Sequence, residues 1–290
     1  MSGSCPTGPG FSAASRSGGD FARLAALANR VTIGADAGSM DEHDLRRLAT
    51  LDELADAAAR LVVEVAGEAW RRDGRVTLAL AGGSTPRGLY RRLAVEPFAA
   101  RMAWPDMHVF WTDERHVAPD HQASNFRMAK EALLRHVPVP ADHVHRIPAE
   151  DPDADRAARA YDAQLRLTFG LPPGGFASFD LMLLGMGADG HTASIFPGSP
   201  AVHERERQVV APFVETQHAY RITITPPVIA NARTAIVLVS GAGKATALRD
   251  AIEASTDPGR IPIHCLRESH GRVVWLVDRA AASALSSFDS

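Results

Sequence analysis

The 290-residue chain has very little cysteine. Cys5 and Cys265 are its only two, which excludes a disulfide framework and suits a reducing compartment. It has no apolar run long enough to cross a bilayer and no apolar signal-peptide core near its start, so a cytoplasmic globular protein is expected. It also lacks any excess of positive charge, because 31 Lys and Arg stand against 34 Asp and Glu, a net charge of −3. No overall field therefore draws the chain to nucleic acid or to an anionic membrane. An anionic ligand has to be held by local groups. The first 44 residues carry only Arg16, Arg23 and Arg30 as cations, too few for a DNA-binding segment.

What is present is an ordinary core-forming composition, 46% apolar and 22% charged. Residues 1 to about 40 are rich in Gly, Ser and Ala and read as a flexible arm. Residues 41–290 read as a single domain. From Asp44 onward the pattern is regular. LDELADAAARLVVEVAGEAWRRDG (51–74) has helical apolar spacing and ends at a glycine. RVTLALAGG (75–83), MHVFWTDE (107–114), FDLMLLGMG (179–187), RITITP (221–226), TAIVLVSGAG (234–243) and RVVWLVD (272–278) read as strands. Helices are predicted over TPRGLYRRLA (85–94), SNFRMAKEALLRHV (124–137) and KATALRDAIEAS (244–255). This alternation predicts an α/β fold with a largely parallel sheet covered on both faces.

Ligands of such sheets bind outside the carboxyl ends of the strands. Four strands here end in polar or glycine-rich text, AGGSTP, TDERHV, GMGADGH and SGAGK, and a parallel sheet would bring all four to one edge. AGGSTP (81–86) opens a helix, with Ser84 or Thr85 as a plausible N-cap and Pro86 in the first turn. Its glycines and the helix N-terminus suit a phosphate. Ser84 lacks the second glycine of a G-x-S-x-G nucleophile elbow. GMGADG (185–190) matches G-x-G-x-x-G, the spacing of a dinucleotide loop. That reading requires a long crossover helix next, and Pro197, Gly198 and Pro200 arrive too soon. What remains is a loop presenting Asp189 and His191, an acid beside an imidazole whose ordinary pKa of about 6.5 suits proton transfer near neutrality.

TDERHV (112–117) offers Arg115 for bidentate contact with phosphate or sugar oxygens and Asp113 as acceptor or base. Asn125 follows at a helix start. SGAGK (240–244) places Lys244 after a glycine turn, yet Leu238 and Ala245 stand where a P-loop needs Gly and Ser/Thr. A nucleoside triphosphate is not indicated, although a single phosphate would suit Lys244. His116, His121, His143 and His145 lack partners at metal-ligand spacing, so no metal is expected.

Together, LALAGGSTPRGLY, VFWTDERHVAPDHQASNFRMAKEALL, FDLMLLGMGADGHTASIFPGSP and RITITPPVIANARTAIVLVSGAGKATAL closely resemble the 6-phosphogluconolactonase family, in order over roughly 45–278. The resemblance implies a three-layer α/β sandwich with a modified Rossmann sheet, shared with glucosamine-6-phosphate deaminases. It implies hydrolysis of 6-phospho-D-glucono-1,5-lactone without a cofactor. His191, beside Asp189, would be the general base. Gly82, Gly83, Ser84, Thr85, Arg115 and Lys244 would hold the phosphate or nearby hydroxyls, and Asp113 and Asn125 would orient the sugar. Ala188 stands where the family loop often carries a longer polar residue. The expected partner is a small phosphosugar lactone, not nucleic acid or membrane, for a monomer or small homo-oligomer. Two rivals share the fold. A deaminase or isomerase loop reads Asp-Glu-Tyr, whereas Arg115 and His116 follow Asp113–Glu114 here. A phosphosugar-sensing regulator would need a basic helix-turn-helix segment.

Overall fold

The computed structural model describes residues 29–33 and 43–286. The chain runs through β1 (Asn29–Ile33), β2 (His43–Leu48), α1 (Leu51–Asp73), β3 (Val76–Leu80), α2 (Ser84–Leu93), β4 (Met107–Trp111) and β5 (Asp113–Arg115). It continues through α3 (Asn125–Ala129), α4 (Ala154–Phe169), β6 (Leu181–Gly185), β7 (Val209–Val210), β8 (Phe213–Val214) and β9 (Ala219–Ile224). It ends with α5 (Pro226–Ala230), β10 (Thr234–Val239), α6 (Ala245–Glu253) and β11 (Arg272–Asp278). Asn29–Ile33, inside the stretch read as an arm, forms a strand paired antiparallel with β2. The remainder of that stretch, including FARLAALA, lies outside the described residues.

The main sheet has the order β1-β2-β11-β10-β6-β3-β4, parallel from β2 to β4. Its inner strands are apolar on both faces, every residue of β3 and β10 being buried, as a sheet covered on two sides requires. Crossovers toward β4 carry α1 and α2, whereas those toward β11 carry α5 and α6. Right-handed connections running in opposite directions place their helices on opposite faces, giving three layers. Thr50 caps α1 by accepting from the Glu53 N–H, and Gly74, at φ 65°, closes its other end. The helix predicted over 124–137 is α3 followed by a π-helical turn, Lys130–Leu134.

One strand assignment needs correction, and another strand lies in a second sheet. The 107–114 segment is two strands, broken at Thr112, where the chain leaves the main sheet. Thr112 N–H still donates to Leu80 O at 2.9 Å, but its own carbonyl accepts from Ile224 N–H at 2.9 Å. The 221–226 strand does not join the main sheet either. It is part of β9, which pairs antiparallel with β5, β7 and β8. RITIT alternates polar and apolar residues, unlike the continuous apolar runs of β6 and β10. Its threonines are buried with partners, Thr223 Oγ1 accepting from Ser194 N–H and Thr225 Oγ1 donating to Arg207 O.

The chain departs from β3 toward β4, and β6 lies on the other side of β3. The strand order therefore reverses between β3 and β6, and a crevice opens beyond their carboxyl ends. Only two residue pairs register β3 against β6, Leu78 with Leu181 and Ala79 with Met182. Asp180 reinforces this short ladder at its amino end. Its Oδ2 accepts from Thr77 N–H at 2.9 Å and from Thr77 Oγ1 at 2.7 Å, and Asp180 N–H donates back to Thr77 Oγ1 at 2.9 Å. Arg72 pairs with the other carboxylate oxygen. Asp180→Ala leaves two buried donors and part of a cation unpaired, so a loss of about 3 kcal/mol in unfolding free energy is expected. Urea unfolding checks this, and an unchanged midpoint would remove Asp180 from the register.

Candidate active site

The loop after β6 folds back on itself. Gly187 N–H donates to His191 O at 2.8 Å, and Gly190 N–H donates to Gly187 O at 3.2 Å. Inside this fold, His191 Nδ1 and Asp189 Oδ1 lie 2.6 Å apart, and the same oxygen accepts from His191 N–H at 3.2 Å. Gly187 makes the pairing possible, because a Cβ there would overlap both the imidazole and the carboxylate. Burial pushes the Asp189 carboxyl up, but the hydrogen bond and charge of His191 outweigh it and hold the group below its ordinary value. An ionised Asp189 fixes the proton on Nδ1 and leaves the Nε2 lone pair available. Nε2 has no hydrogen-bond partner among the described residues. Phe196 covers one side of the ring, 4.3 Å between centroids and tilted by 33°. No helix follows His191. A Thr192–Ile195 bridge and a 3₁₀ turn at Pro200–His203 occupy the space, so the crossover helix of a dinucleotide site is absent.

The other three loops meet this one. Ser194 Oγ donates to Asp113 Oδ2 at 2.7 Å, joining the His191 loop to the chain after β4. Asn125 Nδ2 donates to Asp113 Oδ1 at 3.2 Å and to Asp113 O at 3.0 Å. The Asn125 amide in turn packs over Gly82, where any Cβ would overlap it. Thr85 and Ser240 share a hydrogen bond of 2.7 Å, joining the loops after β3 and β10. Lys244 Nζ donates to Met186 O, closing the circuit back to the His191 loop. The four loops form one ring around the crevice.

Within the ring the expected site residues play different parts. Gly82 is half-buried, and Gly83 and Ser84 are exposed at the start of α2. The expectation that Ser84 or Thr85 caps α2 is not met. Gly83, at φ 106°, is the N-cap residue, and no side chain caps the helix, because the Thr85 hydroxyl turns to Ser240. The N–H groups of Ser84 and Thr85 thus have no side-chain cap, and a helix N-terminus in that state suits an anion. Asp113 is only 7% exposed and Asn125 1%. Both stand in the wall behind the crevice, bonded to each other.

Glu114, next in the TDER run, is buried as well. It accepts from Arg115 N–H, Asn125 N–H, Phe126 N–H and the Ser124 hydroxyl, at 2.7 to 2.9 Å, which anchors the start of α3. Burial pushes its carboxyl up, against the pull of those backbone donors.

Arg115 is half-buried and donates to Ala123 O. Opposite it in the β5–β9 ladder stands Arg221, a residue that the motif reading missed. Burial and then the nearby Arg115 charge lower the Arg221 guanidinium, opposed by Asp113 and Glu114. The Arg221 backbone N–H donates to Pro212 O at 3.0 Å, but its guanidinium has no hydrogen bond or ion pair among the described residues, so a half-buried fork is left for a ligand. The signal was present in RITIT, since Arg221 and Thr223 share one face of a strand. Thr223 Oγ1 accepts from Ser194 N–H at 3.1 Å, which turns that face toward the His191 loop. Lys244 supplies a third cation, lowered by burial and supported by Asp189. Among the described residues no group of three or more His, Cys, Asp or Glu is arranged to hold a metal ion. The site combines an acid-oriented imidazole, three cations and an uncapped helix start.

Known proteins resemble the chain along most of its length. A 6-phosphogluconolactonase of Nostoc sp. is 39% identical over 226 residues, 78% of this chain and 91% of that one. One from Mycobacterium tuberculosis is 39% identical over 243 residues, 81% of this chain and 96% of its own. The solved 6-phosphogluconolactonase of Trypanosoma brucei superposes with a TM-score of 0.75 at 33% identity, over 83% of this chain and 98% of that structure. Residues 49–275 match the family of glucosamine-6-phosphate isomerases and 6-phosphogluconolactonases, and the chain belongs to that family.

Proposed function

We propose that the protein hydrolyses 6-phospho-D-glucono-1,5-lactone to 6-phospho-D-gluconate. The observation that carries this reading is the Asp189–His191 pair with Nε2 open, set in one crevice with Arg115, Arg221 and Lys244. Ester hydrolysis needs a base for water, donors for the developing oxyanion and an anchor for the substrate. His191 Nε2 takes a proton from water as its oxygen attacks the C1 carbonyl. The tetrahedral adduct then collapses with cleavage of the C1–ring-oxygen bond, and the imidazolium gives its proton to the departing ring oxygen. Asp189 keeps the imidazole in the right tautomer and stabilises its charged form. Gly82, Gly83, Ser84 and Thr85 at the start of α2, with Arg115, Arg221 and Lys244, hold the phosphate and nearby hydroxyls. Asp113 and Asn125 keep that wall in place.

The same observations disfavour a sugar-phosphate deaminase or isomerase. That chemistry needs a base at C2, and Asp113 is buried with both oxygens engaged by Ser194 and Asn125. We further infer a cytoplasmic enzyme, a monomer or small homo-oligomer, with one catalytic domain whose main sheet takes in β1 as well as the strands after residue 41. No helix among the described residues is long and apolar enough to cross a membrane.

The test is a lactonase assay on freshly generated substrate, corrected for spontaneous hydrolysis. Wild-type enzyme should far exceed the buffer rate, and a rate equal to buffer would refute the activity. His191→Ala should lose about 100-fold or more in kcat while still binding 6-phosphogluconate. Near-normal turnover would remove His191 from the chemistry. Arg221→Ala and Lys244→Ala should raise KM about tenfold or more with kcat changed far less, as for lost ground-state anchoring. An unchanged KM would exclude the corresponding phosphate contact.

A pH dependence follows from Asp189. A carboxyl depressed in the folded state contributes stability that is present above its unfolded pKa, about 3.9, and lost as pH falls through the folded value. The Tm difference between wild type and Asp189→Asn should therefore be largest near neutrality and shrink in acid. A pH-independent difference would contradict the pairing.

A further inference from the structure

His191 is held by a turn whose shape the Asp189 pairing does not explain. Past His191 the chain bends sharply. Thr192 Oγ1 donates to Gly185 O at 2.9 Å, Ile195 N–H donates to Thr192 O at 2.9 Å, and Ala193 adopts φ 47°. A non-glycine residue in the left-handed region costs on the order of 1 kcal/mol and persists only where its surroundings hold it. Ser194 is what holds it on the far side. It is 3% exposed, and both of its polar groups reach the small antiparallel sheet. Its hydroxyl donates to Asp113 Oδ2 at 2.7 Å on β5, and its N–H donates to Thr223 Oγ1 at 3.1 Å on β9.

On the near side the turn is tied to the main sheet, through Gly187 N–H to His191 O and Thr192 Oγ1 to Gly185 O. His191 thus sits on a short strap stretched between two sheets. A charge-assisted hydrogen bond from a buried hydroxyl to a buried carboxylate is among the stronger kinds. Asp113 cannot shift to follow the turn, because Asn125 holds its other oxygen and Asn125 is wedged over Gly82.

We propose that Ser194 is a positioning residue for the reaction, a role that rests on the general-base reading of His191. By clamping the strap to Asp113 and Thr223, it fixes the direction in which Nε2 meets the C1 carbonyl. Ser194 touches no substrate, and its effect passes through the imidazole. A displacement of about 1 Å at a base can cost about 100-fold in rate. Loss of the clamp should therefore lower kcat and leave KM, set by the cations, nearly unchanged.

The experiment compares steady-state lactonase kinetics of Ser194→Ala, His191→Asn and the double variant, with Tm measured for each. Ser194→Ala should lower kcat about 10- to 100-fold with KM within about twofold. In the His191→Asn background the same change should have no further effect, because there is no imidazole left to aim. Thr223→Val, which removes the second clamp, should lower kcat in the same direction, and Thr223→Ser, which keeps the hydroxyl, should restore it. These two variants carry the test where Ser194→Ala does not fold. A kcat near wild type in Ser194→Ala, or an undiminished loss in the His191→Asn background, overturns the proposal while leaving His191 as the base. Near-wild-type turnover in His191→Asn overturns the general-base reading and this proposal with it.

Discussion

The site depends on a buried carboxylate that never reaches the crevice. Asp113 accepts from Ser194 with one oxygen and from Asn125 with the other, so the His191 loop and the wall beside the glycine loop share a single anchor. Thr85 with Ser240 and Lys244 with Met186 complete the ring. These contacts matter because the loops follow four adjacent strands, β10, β6, β3 and β4, whose ladders fix the strand ends but not the paths beyond them. A carboxylate buried with both oxygens bonded is held in place, and its neighbours must conform to it.

Two glycines serve this arrangement by being small. Gly82 lets Asn125 lie against the backbone after β3, and Gly187 does the same for the imidazole and carboxylate of the His191 loop. Gly83 serves differently, through its positive φ, which turns the chain into α2 without a side-chain cap. Charge is divided in a comparable way. Glu114 and Asp113 are spent on structure inside the wall, and Arg115, Arg221 and Lys244 are left as cations around the crevice. A chain with a net charge of −3 can thus present a locally positive pocket.

Much of this could be read from the chain itself. Continuous apolar runs marked the parallel strands from β3 to β11 but not β2, whose text is HDLRRL, and RVVWLVD matches β11 residue for residue. The pairing of Asp189 with His191 is two residues long and needs no tertiary information. Partners far apart in sequence were not legible. Thr85 and Ser240 are separated by 155 positions, and Ser194 and Asp113 by 81. Nothing local tells a serine in GHTAS that its hydroxyl will meet a strand from another sheet. The burial of Glu114 and Asn125 was not legible, because burial is set by what packs over a residue. The place of β9 in a second sheet was not legible either, although its period-two alternation was present, and Arg221 went unread with it.

The direction in which the substrate lies along the crevice is the central claim, with the phosphate at the cations and C1 at the imidazole. A crystal structure with 6-phosphogluconate bound tests it most directly. Phosphate oxygens are expected within hydrogen-bond distance of Arg221, Arg115 or the first turn of α2, with the C1 carboxylate facing His191 Nε2. A phosphate seated against His191, or a ligand bound outside the ring of four loops, would contradict it.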